Sequence, residues 1–464
     1  SLRHYRLVGV GDGYPIAYFS SNVDEPEAMV IALQPRGGVN GAASPLGGNQ
    51  GEQGAFGSFL NKAVQLVLND WIPLGDPETN KFDFGRLQTF PTYNPIEGVR
   101  LRAGVASNSR LSPNLFLKGY LAYGFGDQQL KYRGEATWSF DRKVYHEEEF
   151  PKNNLTLVYE KDLYSPGEMH PRSPNNLLLI TYRRSEDQAT YRNFAEINYE
   201  REYKNGFAQT AWVRRARMMP QGNLLFENRI DGTYIQDDAL YTSELGVKLR
   251  FAGREAYRQE KRKRRPIDIT SPVFFFSHTV GQYDFMGEEK PYHRSEFSAQ
   301  KRFLLGTAGR LDAVGEVSKI WNGVPFPLLV YPNQRQRHHI ENNAFFLNRA
   351  LEFMADEQVT IRTTFVGDNL LLAKVPLLDR LGLRELLSLR ASYGRLSDKN
   401  DPERTQELYR FPALSHRYGD TPYMEGTIGI TNILGLLRVE YVHRFTYRDH
   451  PEALLGKVRV DVTL

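Results

Sequence analysis

The feature that most constrains this chain is an alternation near its end, within residues 424–464. In the run Leu437–Tyr447, Leu437, Val439, Tyr441, His443, Phe445 and Tyr447 share one parity, while Arg438, Glu440, Val442, Arg444 and Thr446 share the other. Successive side chains of a strand point to opposite faces, so the pattern specifies a two-faced strand. The closing run repeats it: Val458, Val460, Val462 and Leu464 alternate with Lys457, Arg459, Asp461 and Thr463. Two surroundings accept such strands. One is an antiparallel sheet with a wet face and a packed face. The other is a membrane barrel, apolar towards lipid and charged towards its lumen. An Arg on the lipid face at mid-bilayer costs about 2–4 kcal/mol, so in a barrel the arginines of this stretch must face inward. The alternation places them all on one side.

The number and length of such strands separate the two surroundings. Val99, Leu101, Ala103 and Val105 oppose Arg100, Arg102 and Gly104; Leu115, Leu117, Gly119, Leu121 and Tyr123 oppose Phe116, Lys118 and Tyr120. Tyr132, Gly134, Ala136, Trp138 and Phe140 oppose Arg133, Glu135, Thr137 and Ser139, and residues 239–251 set Tyr241, Leu245, Val247, Leu249 and Phe251 against Thr242, Glu244, Lys248 and Arg250. Further strands are expected near 154–163, 176–184, 191–203, 206–217, 223–235, 272–282, 294–305, 309–322, 352–366 and 385–396. Spans of about 9–13 residues suit a tilted membrane strand better than the 5–6 usual in soluble sheets.

Composition agrees without deciding. There are 26 Tyr and 27 Phe against 7 Met, which suits strands and interfacial aromatic girdles. Cysteine is absent, so there is no disulfide framework and no thiolate metal site. No apolar run approaches the roughly 20 residues of a spanning helix. The mean hydropathy of −0.51 reads as soluble, yet half of every barrel strand is polar. No secretory signal stands at Ser1, as expected of a chain from which it has been removed.

Residues 1–57 read as a Gly-rich N-terminal extension, a plug or a periplasmic segment, and 58–464 as the barrel. Gly9–Pro15 has a faint likeness to a phosphate loop, but no helical segment follows. Residues 254–265, REAYRQEKRKRR, are strongly basic: a solvated turn, or a patch for anionic lipid or lipopolysaccharide. Charge elsewhere is balanced, which argues against nucleic acid. Residues 369–383 are Leu-rich around Pro376 and suit a short amphipathic helix or an apolar turn.

Four segments carry a family resemblance: GVPFPLL at 323–329, LEFMADEQ at 351–358, AKVPLLDRLGLRE at 373–385 and GTIGITNILGLLRVEYVHRF at 426–445. With YNPIEGVRL at 93–101, they resemble an uncharacterised outer-membrane barrel family of Bacteroidota-type bacteria, whose members often carry an N-terminal carboxypeptidase-regulatory-like domain. The resemblance covers 58–464, and no such domain is recognisable in 1–55. More remotely, the last third resembles the outer-membrane assembly-factor superfamily. That likeness implies a periplasmic turn at Asn432–Gly435, another at 367–384 and an extracellular loop at 323–349. In that superfamily the loop enters the lumen through an Arg-Gly motif. Here Asn348-Arg349 precedes Ala350, so Arg349 is not expected to act as a plug.

The inward charges are Arg100, Arg102, Lys118, Arg133, Glu135, Lys248, Arg250, Arg362, Arg390, Arg438, Glu440, Arg444, Arg459 and Asp461. They suit a selective pore or a filled lumen neutralised by cross-strand ion pairs. His338-His339 lack the spacing to share a metal ion. Ser415-His416 and Asp449-His450 are adjacent in sequence, which is not a catalytic geometry. No G-x-S-x-G, H-E-x-x-H or Walker loop is present. The expectation is an all-β, closed antiparallel transmembrane barrel of about 16 strands, with 14 or 18 as alternatives. It is expected to be non-enzymatic and cofactor-free, with outer-membrane lipid, lipopolysaccharide and other envelope proteins as partners. The role expected is an accessory or structural subunit of an assembly, export or uptake complex. A passive channel, a barrel enzyme with a rim site and a soluble β-protein are the alternatives.

Overall fold

A computed structural model describes residues 7–11, 14–20, 71–76, 78–85, 91–164, 188–230, 233–253, 256–259, 264–268, 270–333, 344–368, 372–374, 382–405, 407–433 and 437–462. In chain order the first strands are β1 (Leu7–Gly11), β2 (Tyr14–Ser20), β3 (Trp71–Pro73), β4 (Phe82–Gly85), β5 (Thr92–Asn94), β6 (Gly98–Ser107), β7 (Leu115–Gly124) and β8 (Leu130–Ser139). The middle strands are β9 (Asn153–Tyr164), β10 (Gln188–Glu202), β11 (Phe207–Gly222), β12 (Phe226–Ile230), β13 (Thr233–Asp237), β14 (Leu240–Ala252), β15 (Ala256–Gln259) and β16 (Arg264–Asp268). The last are β17 (Val273–Phe285), β18 (Glu288–Leu304), β19 (Gly309–Ile320), β20 (Glu357–Gly367), β21 (Arg384–Arg395), β22 (Tyr423–Ile433), β23 (Leu437–Arg444) and β24 (Gly456–Val462). No α-helix occurs among the described residues.

Eighteen of these segments form one antiparallel sheet that follows the chain from β3 to β24, with β12–β13 and β15–β16 left out; its order is cyclic, that of a closed barrel. β4 and β5 lie end to end on β6, with Phe82 opposite Ser107 and Thr92 opposite Arg100. Counted as one stave they leave seventeen, the shortest being the three-residue β3 that stands between β24 and β4. A Cβ at Gly104 of β6 would lie 2.2 Å from the Gly85 carbonyl oxygen, so only glycine admits β4 this closely.

Alternation decides the faces. On β24, Val458 and Val460 are 63% and 49% exposed, and Arg459 between them is 2% exposed. On β20, Val359 and Ile361 are exposed and Thr360 and Arg362 buried; on β21, Leu387 and Leu389 are exposed and Ser388 and Arg390 buried. The arrangement inverts a soluble core: oily chains line the outside and guanidinium groups the inside. Connections alternate between two ends. One end carries the longest segments, 321–356 and 396–422, with 223–239; the other carries 203–206 and 305–308 as well as the longer 253–272 and 368–383.

Two expectations change, for 223–235 and for the basic 254–265. Residues 223–235 do not add a stave. Among the described residues β12 and β13 pair with each other alone, Ile230 opposite Thr233, as a hairpin at the long-loop end. Gly9–Gly11 and Tyr14–Pro15 lie in the β1–β2 hairpin, not in a phosphate loop. The basic 254–265 stretch is in part a strand: β15 pairs with β16 and also with β2, giving a four-stranded sheet with the N-terminal hairpin. From 369–383, the described Leu372–Lys374 form a 3-10 turn. The strand expected at 176–184, His338-His339 and most of residues 1–57 lie outside the described residues.

Candidate functional site

The site is the lumen, and its chemistry follows from placing many cations on one concave wall. In the sector β6–β9 the wall neutralises itself. The Arg100 guanidinium donates to both carboxylate oxygens of Asp162 at 2.7 and 3.0 Å and to Glu97 at 3.1 Å, and the Tyr120 hydroxyl donates to Asp162 at 2.5 Å. Lys118 lies 3.5 Å from Glu135 and 3.4 Å from Glu147. Arg133 pairs with Glu135 at 2.9 Å and with Glu160. Arg102 stacks over the Tyr120 ring, 3.6 Å from its centroid. Such forked, charge-assisted bonds fix geometry as well as charge.

Further round, Arg214 bridges Glu196 at 2.6 Å and Glu244 at 3.2 Å. The sequence reading passed over it, although its parity within 206–217 marks it as inward. Lys248 and Arg250 lie over the Phe275 ring at 5.1 and 5.7 Å. Arg362 pairs with Glu316.

In the sector β20–β24 the wall's partners come from a loop. Strand register sets Arg362 opposite Arg390, Arg390 opposite Glu425 and Glu425 opposite Arg444. Residues 344–356 run into the lumen against this row, and Phe345, Leu347, Phe353 and Met354 are buried. Glu425 accepts the backbone N–H groups of Phe346 (2.9 and 3.1 Å) and Leu347 (2.7 Å). The Phe346 ring is held between Arg390 at 4.4 Å and Arg459 at 3.5 Å. Each cation over a desolvated ring contributes about 0.5–2 kcal/mol. Arg390 also donates to the Thr427 hydroxyl at 2.9 Å. Glu352 meets Arg444 at 2.5 and 3.2 Å, and both are buried.

The loop therefore enters the lumen, but not through Arg349, which pairs at 2.8 Å with the exposed Glu452. The polarity is the reverse of an inward arginine finger: the carboxylate and ring belong to the loop, and the guanidinium groups to the wall. Glu440 completes the wall, pairing with Arg438 at 2.7 Å and with Arg459 at 3.6 Å. Asp461 stands opposite Arg438 in register.

A second layer closes the long-loop end. Phe226, Phe285, Phe326 and Tyr409 pack with Leu329, Leu351 and Met354 in one buried apolar cluster. Phe226 and Tyr409 stack at 5.0 Å. Asp356 accepts from Asn400 at 2.7 Å, tying segment 396–422 to the base of the inner loop.

The two His pairs singled out in the sequence meet here. His416 and His450 stack with ring centroids 4.0 Å apart, and His450 Nδ1 lies 2.9 Å from Glu352. The backbone N–H of His416 donates to the Glu352 carbonyl at 2.7 Å. Burial pushes the Glu352 carboxyl up, but Arg444, the Arg349 backbone N–H and His450 outweigh it and hold the group below its ordinary value. Burial and the neighbouring His450 lower His416. Ser415 Oγ is buried with no hydrogen-bond partner among the described residues, so it is not held by either imidazole. No metal-ligating cluster is present among the described residues.

Residues 76–398 match the C-terminal domain of a family of unknown function, DUF5686. The chain belongs to that family. No curated protein matches it. Among solved structures, this family member is similar to CdiB from Acinetobacter baumannii at 10% identity and a TM-score of 0.39, over 80% of this chain. It spans 58% of the CdiB chain. BamA from Haemophilus ducreyi is similar at 10% identity and a TM-score of 0.43, over 81% of this chain and 69% of that one. OmpT, an outer membrane protein of Vibrio cholerae, is similar at 10% identity and a TM-score of 0.31, over 71% and 88%.

Proposed function

We propose that this chain is an integral β-barrel of the bacterial outer membrane with a lumen closed by its own loop. It serves as a non-enzymatic accessory or structural subunit of an assembly, export or uptake complex. The observation that carries the membrane reading is the outer wall. Tyr241 and Phe251 are both outward-facing and stand ten residues apart on β14. At about 3.3 Å per residue and a tilt near 40°, they are separated by about 25 Å along the barrel axis, the height of a barrel's apolar band. Exposed aromatics gather at both edges: Trp138, Phe140, Phe274 and Phe303 at the short-turn end, and Tyr93, Tyr123, Phe125 and Trp321 at the other. Short periplasmic turns and longer extracellular loops put the long-loop end outside the cell.

The closed lumen supports a structural role over conduction. The loop holds three of that sector's cations, Arg390 and Arg459 at the Phe346 ring and Arg444 at Glu352, away from a solute path. Two experiments test the reading. In planar bilayers the purified barrel is expected to pass little steady current; a large constant conductance would replace this reading with the passive channel. In mild detergent, envelope proteins are expected to co-purify in fixed ratio, and a lone species would sink the subunit role.

A further inference from the structure

We propose that the outer wall over β6–β11 holds a binding site for a phosphorylated, multiply acylated glycolipid of the lipopolysaccharide type. The inference rests on the membrane reading above and names one partner of the barrel's wall. Three successive rows of outward side chains carry it. The lowest aligns Leu117, Ala136, Leu157, Ile197 and Val213, wholly aliphatic. The next aligns Gly119, Gly134, Tyr159, Ala195 and Arg215. The third aligns Tyr132, Lys161, Asn193 and Arg217. Apolarity thus gives way to cationic charge within about 13 Å along the strands, the profile of a lipid whose phosphates sit just above its chains.

The wall is also concave there. A cavity of about 830 Å³ lies there, lined by the outward Phe82, Leu117, Leu157, Ile197, Val213 and Arg215, and bordered as well by the inward-parity Lys118, Glu135 and Glu196. Gly134 and Ala195 of the middle row border it, and a Cβ on Gly134 would meet nothing within 4 Å. Arg215 has no carboxylate partner among the described residues, unlike its inward neighbour Arg214. Arg217 lies over the Tyr241 ring at 5.5 Å, and Lys161 reaches Gln129 at 3.3 Å.

Height fits the same ligand. Arg215 is eight residues from Phe207, at the short-turn end of β11, so it stands about 20 Å above it, near the top of a 25 Å apolar band. A guanidinium at that level reaches the headgroups. Lys161, Arg215 and Arg217 spread over three strands, about 10 Å across, a span that favours a glycolipid with more than one phosphate over a single-phosphate lipid.

The test uses the full chain in phosphatidylcholine nanodiscs doped with either lipid A or phosphatidylglycerol, with retained lipid counted by native mass spectrometry. Lipid A is expected to be retained in preference to phosphatidylglycerol. The R215Q/R217Q double variant and the groove-filling G134L are each expected to weaken retention about tenfold, while heat-modifiable gel mobility shows both folded. Retention unchanged in both variants would overturn the site, and equal retention of the two lipids would overturn its assignment to a glycolipid. Failure of the chain to enter nanodiscs would overturn the membrane reading and this inference with it, whereas insertion without lipid preference would overturn this inference alone.

Discussion

Between β6 and β9 the inner wall carries Arg100, Arg102, Lys118 and Arg133; Arg100, Lys118 and Arg133 find carboxylates on or beside the wall itself, and Arg102 stacks on the wall's own Tyr120. Between β20 and β24 it carries Arg362, Arg390, Arg438, Arg444 and Arg459, and three of these turn to the inner loop: Arg390 and Arg459 to the Phe346 ring, Arg444 to Glu352. The cations of the first sector find their partners without the inner loop; three of the second sector's do not. A barrel wall can be neutral and still be closed, but a wall short of carboxylates makes closure part of its own stability. The lesson is that the loop is a structural member of the far sector, not a cover laid over a finished pore.

The largest effects come from stranding a buried charge. Arg444→Leu leaves Glu352 buried without its partner, and Arg100→Leu does the same to Asp162. Each is expected to lower stability by about 3–5 kcal/mol in urea unfolding from detergent. Only Arg444→Leu is expected to raise bilayer conductance and expose residues 344–356 to protease. Equal leakage from both variants would erase the distinction between the sectors.

Phe346→Leu keeps an apolar, somewhat smaller side chain and removes the ring from between the two guanidinium groups. A loss of about 1–3 kcal/mol is expected. Tyr120→Leu, which takes the ring from beneath Arg102 and the hydroxyl from Asp162, is expected to leave the lumen closed.

The smallest effect is pH dependence of loop docking. Both Glu352 and His416 hold their protons less readily folded than free. Their contributions are therefore complete above the ordinary values, about 4.3 for Glu and 6.5 for His, and are lost as pH falls through the lower folded ones. Protonation of His416 also sets a cationic ring beside Arg444 and Arg349. Hydrogen exchange in 344–356 is expected to quicken on acidification from about pH 6.5, with β6–β9 unchanged. No change in the loop by pH 4 would show that these groups do not report on docking.

The wall itself was legible in the chain, because a period of two is imposed at every residue by strand geometry. It put Arg438, Arg444 and Arg459 inside, where they are. Parity alone does not tell lumen from headgroup at a barrel's rim, so the outward Arg215 and Arg217 were not anticipated. The plug was not legible either. Arg444 and Glu352 are 92 residues apart, and nothing local to LEFMADEQ says that its Glu will be buried against a strand not yet reached. The loop of the resembled superfamily carries its cation in an Arg-Gly motif that this chain lacks at Arg349-Ala350, and here the cations that meet the loop, Arg390, Arg444 and Arg459, stand on the wall. The misjudged stave at 223–235 was avoidable: Asp231-Gly232 is a strong two-residue hairpin signal, and it sits between the paired Ile230 and Thr233.

The central claim, that lipid meets only the oily parity of the strands, is tested most directly on β24. The chain has no cysteine, so single spin labels at positions 458, 459 and 460 report without background. In bilayers, labels at Val458 and Val460 are expected to relax with oxygen and to ignore an aqueous nickel chelate, while Arg459→Cys is shielded from oxygen in lipid. A label at 459 as open to lipid oxygen as its neighbours, or all three equally open to the chelate, would contradict the account.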